Sequence, residues 1–291
     1  MKRLEDEVLA NIFSGLEVLG LKNLSKMDVY EEKEKDNSVR NEGDKKPIAD
    51  EVDFIFDKSY TCPVCDSDFK SKMVKAGKFK LQKVDTDLRP IYQFIDPLKY
   101  DAIVCPKCGY AALSRYFKYV TSTQSKAIKK DISANFKPVI ETGEVYTYDN
   151  AIMRHKLVLV NTIVKKAKNS ERAYTCLKLA WLLRGKAEEL PEDTKDYQKL
   201  IDDIAKEELE FLKNAYEGFD EAFSTENFPM CGMDENTFSL MVADLARRIG
   251  KYDECGRWVS KVLVSRDANE RIKEKARDIK EMLQEAKKEE V

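Results

Sequence analysis

The sequence predicts a mostly α, α+β chain in which a small β module built on two cysteine knuckles precedes a helical repeat domain. Three observations carry this reading. Cys62-Pro63-Val64-Cys65 and Cys105-Pro106-Lys107-Cys108 form two C-P-x-C tetrads. Between 51 and 110 the chain runs in short strand-like alternations, and beyond 111 the apolar period becomes helical and stays so.

The knuckles are the most specific signal. Proline and a two-residue gap hold the backbone in a tight turn whose N–H groups point at the sulfurs. Four thiolates from two such turns close a tetrahedral shell around one metal ion, leaving no position for a catalytic water. Cys62, Cys65, Cys105 and Cys108 are therefore the expected ligands. The expected ion is Zn²⁺, with Fe as the alternative, because ligand spacing does not separate the two. Gly109 follows the second knuckle, where a left-handed residue fits best.

The elements follow in chain order. Residues 1–30 are expected to hold an amphipathic helix, with Leu4, Val8, Leu9, Ile12, Phe13, Leu16 and Leu19 at helical spacing. Residues 31–50, nearly all polar or charged, read as a flexible linker. The metal module spans 51–118. Runs at 69–74 and 79–84 around Ala76-Gly77 read as a hairpin leaving the first knuckle, and a strand at 100–104 enters the second. Hairpins feeding opposed knuckles are the zinc-ribbon arrangement. A helix is expected from Ala111 to Tyr119, and 119–146 connects to a helical domain at 147–286.

That domain carries an internal echo. Leu179-Ala180, with Leu183 and Gly185, is answered by Leu245-Ala246, with Ile249 and Gly250. Ala215, Phe219 and Ala222 share their spacing with Cys255, Val259 and Val262. The separation is close to two tetratricopeptide repeats, so tetratricopeptide-like helix pairs are expected. The first pair would carry an insertion near 191–208.

Composition narrows the function classes. The chain has 291 residues, 43% of them hydrophobic, and a formal net charge of −2. It has no run long enough for a membrane helix, and acids stand where a signal peptide needs an apolar core, so a cytoplasmic protein is expected. Residues 60–118 carry 11 Lys/Arg against 6 Asp/Glu, whereas 1–59 carry 10 against 15. The basic stretch makes nucleic-acid binding by Lys70, Lys72, Lys78 and Lys80 an alternative reading. A dithiol redox role for the cysteine pairs is a third. His155 is the only histidine, which removes most imidazole-based triads. No Walker loop or dinucleotide fingerprint is present, and no catalytic residue is nominated. The leading expectation is a metal-stabilised scaffold for an unidentified protein or peptide, with Asn236, Ser239 and Arg247 as contacts on the inner helices.

The stretches Tyr60 to Cys65, Val84-Asp85-Thr86-Asp87, Asp96-Pro97-Leu98-Lys99-Tyr100-Asp101 and Val104 to Ala112 resemble a bacterial domain-of-unknown-function family, number 2225. The resemblance covers roughly 50–285. It implies a four-cysteine knuckle region joined to a tetratricopeptide-like helical half, with the four knuckle cysteines as presumed ligands. Asp66 stands where the family often has glycine. The family brings no established activity.

Overall fold

The structure is a computed structural model that describes residues 50–137 and 143–289. These lie within one compact unit, Ala49–Val291. The amphipathic helix and linker expected before residue 50 fall outside the described residues.

Three two-stranded antiparallel sheets come first. β1 (Ile55–Thr61) pairs with β2 (Asp68–Val74) in unbroken register, from Ile55 opposite Val74 to Thr61 opposite Asp68. β3 (Leu81–Val84) pairs with β4 (Pro90–Tyr92). After a 3-10 turn at Pro97–Tyr100, β5 (Ala102–Val104) pairs with β6 (Ala111–Leu113). Each knuckle is thus the turn of its own hairpin.

Two expectations need correction. The 69–74 run pairs backward with β1 instead of forward with 79–84, because the first knuckle itself reverses the chain. Asp66 supplies the positive φ (+59°) that the turn requires. Ala111–Leu113 is a strand, since the second knuckle returns the chain along β5 before any helix begins.

Helices follow, and side-chain caps at several N-termini satisfy exposed backbone donors. α1 (Ser122–Ile128) begins at a capping box of Thr121 and Gln124 and runs into a π-helical turn, Lys129–Ser133. α2 (Tyr148–Val164) begins at a second box, Thr147 with Asn150. α3 (Asn169–Glu189), α4 (Tyr197–Thr225), α5 (Glu235–Arg248), α6 (Tyr252–Val264) and α7 (Glu270–Glu289) complete the chain. Among the described residues no helix is long and apolar enough to cross a membrane.

Leu179, Ala180, Leu245 and Ala246 are all fully buried. They belong to one core with Leu177, Phe219, Phe238 and Met241, spanning α2 to α7. The apparent insertion near 191–208 is mostly the N-terminal half of the 29-residue α4, which continues unbroken through Ala215 and Phe219. Gly250, at φ +77°, turns the chain between α5 and α6.

Candidate metal centre

The four knuckle cysteines converge. Their sulfurs all lie within 4.8 Å of one another. Across the knuckles, Cys62 Sγ is 3.6 Å from Cys108 Sγ and Cys65 Sγ is 3.7 Å from Cys105 Sγ. A tetrahedron of metal–sulfur bonds near 2.3 Å has edges of about 3.8 Å. The donor set therefore fits one tetrahedral thiolate-bound ion.

The backbone builds this geometry twice. Cys62 N–H donates to Ser67 O at 3.0 Å and Asp66 N–H to Cys62 O at 2.9 Å; Cys105 N–H donates to Tyr110 O at 2.8 Å and Gly109 N–H to Cys105 O at 3.1 Å. Asp66 and Gly109 occupy equivalent left-handed positions, at +59° and +73°. At Gly109 a side chain has no room, because a Cβ would come within 2.5 Å of the Phe136 ring.

Burial makes the site rigid and dry. Cys62, Cys105 and Cys108 are buried and Cys65 is half-buried. Val64, Ile103, Tyr110, Phe117, Ile128 and Ile132 surround them. Tyr60, Phe69, Tyr110 and Phe117 form a wall of ring contacts 5.1–6.0 Å apart. The Tyr110 hydroxyl donates to Phe117 O at 2.9 Å. Hydrogen bonds from Cys108 and Cys62 hold the Cys105 thiol far below its usual range, whereas the bond to Cys105 pushes Cys108 up. Thiolates packed this closely repel one another, and a bound cation would stabilise them.

The centre is fixed to the helices by a polar seam that the sequence did not announce. Asn161 on α2 is buried, and its Nδ2 donates to Gly109 O at 3.1 Å. Arg154 donates through Nη2 to Ala102 O at 2.9 Å and to Ser71 Oγ at 3.1 Å, tying β5 and β2 to α2. Asp101, just before β5, takes hydrogen bonds from Ser114 Oγ and Lys178 Nζ. Burial alone would raise the Asp101 carboxyl, but the Lys178 ammonium and these donors bring it down to about 2. Beside them, His155 is fully buried; its Nδ1 lies 2.8 Å from Ala151 O and Nε2 has no hydrogen-bond partner among the described residues.

A second charged cluster clamps the β3–β4 loop to the helices. Asp87 is fully buried, accepts a hydrogen bond from Trp181 Nε1 at 3.1 Å and forms an ion pair with Arg184 Nη2 at 2.8 Å. Thr86 Oγ1 donates to Asp244 Oδ2 at 2.7 Å, while Arg89 forms a two-pronged pair with Glu188 at 2.9 and 2.6 Å. Burial opposes ionisation of Asp87, yet the Arg184 and Arg248 charges hold its pKa below the ordinary value. Next to this cluster lies a polar cavity of about 330 Å³ containing Arg89, Asp96, Lys99 and Tyr148. Its cations are already paired, Arg89 with Glu188 and Lys99 with Glu51.

The remaining sequence candidates do not assemble. Lys70 and Lys72 are on β2, with Lys72 3.8 Å from Asp57, whereas Lys78 and Lys80 lie on the separate segment leading to β3. Ser239 is buried inside the core, and Arg247 is paired with Asp244 at 2.7 Å. Asn236 is half-buried in the first turn of α5. Asn161, Phe136 and Asp101 were missed because single residues in a helix, a loop and a strand lead-in carry no local spacing signal.

A protein-family model described as an uncharacterized protein conserved in bacteria, DUF2225, matches residues 55–283. Nothing among curated proteins or solved structures matches the chain.

Proposed function

We propose that this chain, which belongs to the DUF2225 family, is a Zn²⁺-stabilised cytoplasmic interaction scaffold, in which the ion rigidifies the knuckle module and the helices bind a protein or peptide. The closed shell of four sulfurs supports this reading most directly. Its edges suit a tetrahedral ion and its donors are all thiols, the set that structural zinc takes and catalytic zinc avoids. Bound there, Zn²⁺ would supply cross-linking and charge neutralisation. Asn161 and Phe136 would then hold the second knuckle against α2.

For the partner, a groove between α4 and α6 is better placed than the buried inner face of α5. It encloses about 380 Å³ and is lined by Tyr216, Phe223 and Trp258, by Lys251, Arg257 and Lys261, and by Asp220 and Glu254. Lys261 Nζ stands 4.0 Å from the Phe223 ring centroid. Phe223 and Trp258 offer an aromatic anchor point, and Arg257, 3.6 Å from Glu254, and Lys261, 2.8 Å from Glu235, would exchange these ion pairs for carboxylates of a peptide.

Two measurements test the proposal. Elemental analysis of anaerobically purified protein should give one zinc per chain, and Cys105→Ser should give none. Affinity capture with nuclease treatment should return a reproducible protein that Arg257→Glu with Lys261→Glu no longer retains. Zinc-free native protein would overturn the first part. Capture that is empty, or indifferent to the charge reversal, would overturn the second.

A further inference from the structure

The outward face of α2 is apolar where a solvent-facing helix is ordinarily charged. Met153, Val160 and Ile163 are 66%, 47% and 56% exposed. They follow one another along one stripe of the helix, with Lys156 between them. Three large apolar side chains standing together on a surface mark an interface.

The ground on either side of this ridge differs. On one side an apolar groove of about 360 Å³ separates α2 from the second knuckle, with Val104, Pro106 and Phe136 as its far wall. The residues beside that wall, Lys107 and Lys137, are exposed and form no ion pair among the described residues. On the other side α2 borders a groove against α4 that contains Arg172 of α3 and, on α4, Glu217 and Glu221. Both carboxylates are exposed and without an ion pair among the described residues. The face therefore presents, in order, a basic rim, an apolar groove, an apolar ridge and an acidic flank.

This order is complementary to itself under one symmetry operation. A two-fold axis parallel to α2 lays the right side of one copy over the left side of the other. The ridge of each copy then enters the knuckle groove of its partner, and each basic rim faces an acidic flank. An axis perpendicular to α2 would instead set lysines against lysines and carboxylates against carboxylates.

We propose that two copies of this chain form a symmetric dimer through α2, with the Met153–Val160 ridge seated in the groove beside the second knuckle and Lys107 and Lys137 facing Glu217 and Glu221. The inference is independent of the α4–α6 groove proposed for a partner, because the two surfaces share no lining residue.

Sedimentation equilibrium of the full metal-loaded chain across the micromolar range tests it. The wild type should sediment as a dimer. Val160→Glu and Met153→Glu should each weaken association by at least about 30-fold, the effect of a lost interface anchor. Both side chains are solvent-exposed, so circular dichroism should stay unchanged. Lys137→Glu alone and Glu217→Lys alone should each weaken the dimer and make it less sensitive to salt. Together they should restore it. A monomeric wild type, or a dimer that none of these changes weakens, overturns the proposal. So does a double reversal weaker than either single one, which would mean that like flanks meet.

Discussion

His155 gives a pH dependence whose size follows from its surroundings. The imidazole is fully enclosed, Nδ1–H is satisfied by Ala151 O, and Nε2 has no acceptor among the described residues. Burial therefore disfavours the cation, and the nearby Lys178 and Arg154 charges add to that against the pull of Asp101, leaving the pKa lowered to about 4. The unfolded chain takes up a proton near pH 6.5, whereas the folded chain resists until near 4. The stabilisation is complete above pH 6.5 and is lost as pH falls toward 4, at about 1.4 kcal/mol per unit. Over the whole interval this amounts to about 3 kcal/mol, and between pH 6.5 and 5.5, where the unfolded histidine starts half protonated, to about 1 kcal/mol. Asp96 and Glu189, whose carboxyls burial raises, act in the opposite sense. Comparison with His155→Leu isolates the histidine from them. Urea denaturation at pH 7.5, 6.5 and 5.5, with metal retained, should show wild-type stability falling more steeply toward acid than that of the variant. Parallel pH profiles for the two proteins would refute the reasoning.

Three further outcomes are expected. Gly109→Ala forces a Cβ into the Phe136 ring at a φ of +73° and should cost about 2–3 kcal/mol, read from thermal melting of the loaded protein. Lys178→Met strands the Asp101 carboxylate and should cost about 3 kcal/mol, while adding Asp101→Asn should recover more than half of it; a double-mutant cycle with no coupling would remove the pair from the account. A fragment of residues 145–291 should lose cooperative unfolding and bind anilinonaphthalene sulfonate, because it exposes Val158, Trp181 and Lys178 where β5, β6, Asp101 and the β3–β4 loop now cover them; a sharp native-like melt would show that the helices close on themselves.

The sequence was most legible where spacing is local. The two C-P-x-C tetrads identified all four sulfurs, because a knuckle is a tight turn within a few residues. The buried Leu-Ala pairs of α3 and α5 were visible because helical period reports burial. Strand partners were not legible. β2 has the alternation of a hairpin arm, but nothing in 69–74 says whether it pairs upstream or downstream, and the knuckle decided that. The seams were hidden for a related reason: Asp87 and Trp181 are 94 residues apart. Ser239 looked like a surface contact because a small polar residue in an amphipathic helix is ambiguous until the neighbouring helices are placed.

The β3–β4 clamp has a consequence for the order in which the protein matures. Thr86 closes its hydrogen bond on Asp244, 158 residues later in the chain. At translation rates of about 5–20 residues per second, that partner is made about 8–30 seconds after Thr86. Cys108 is synthesised long before α5, so both knuckles are complete, and able to capture an ion, while the clamp has nothing to grip. The nascent chain thus holds two complete knuckles with Asp87 and Arg89 still waiting in water. Docking of that loop becomes the late step that registers completion of the helical half.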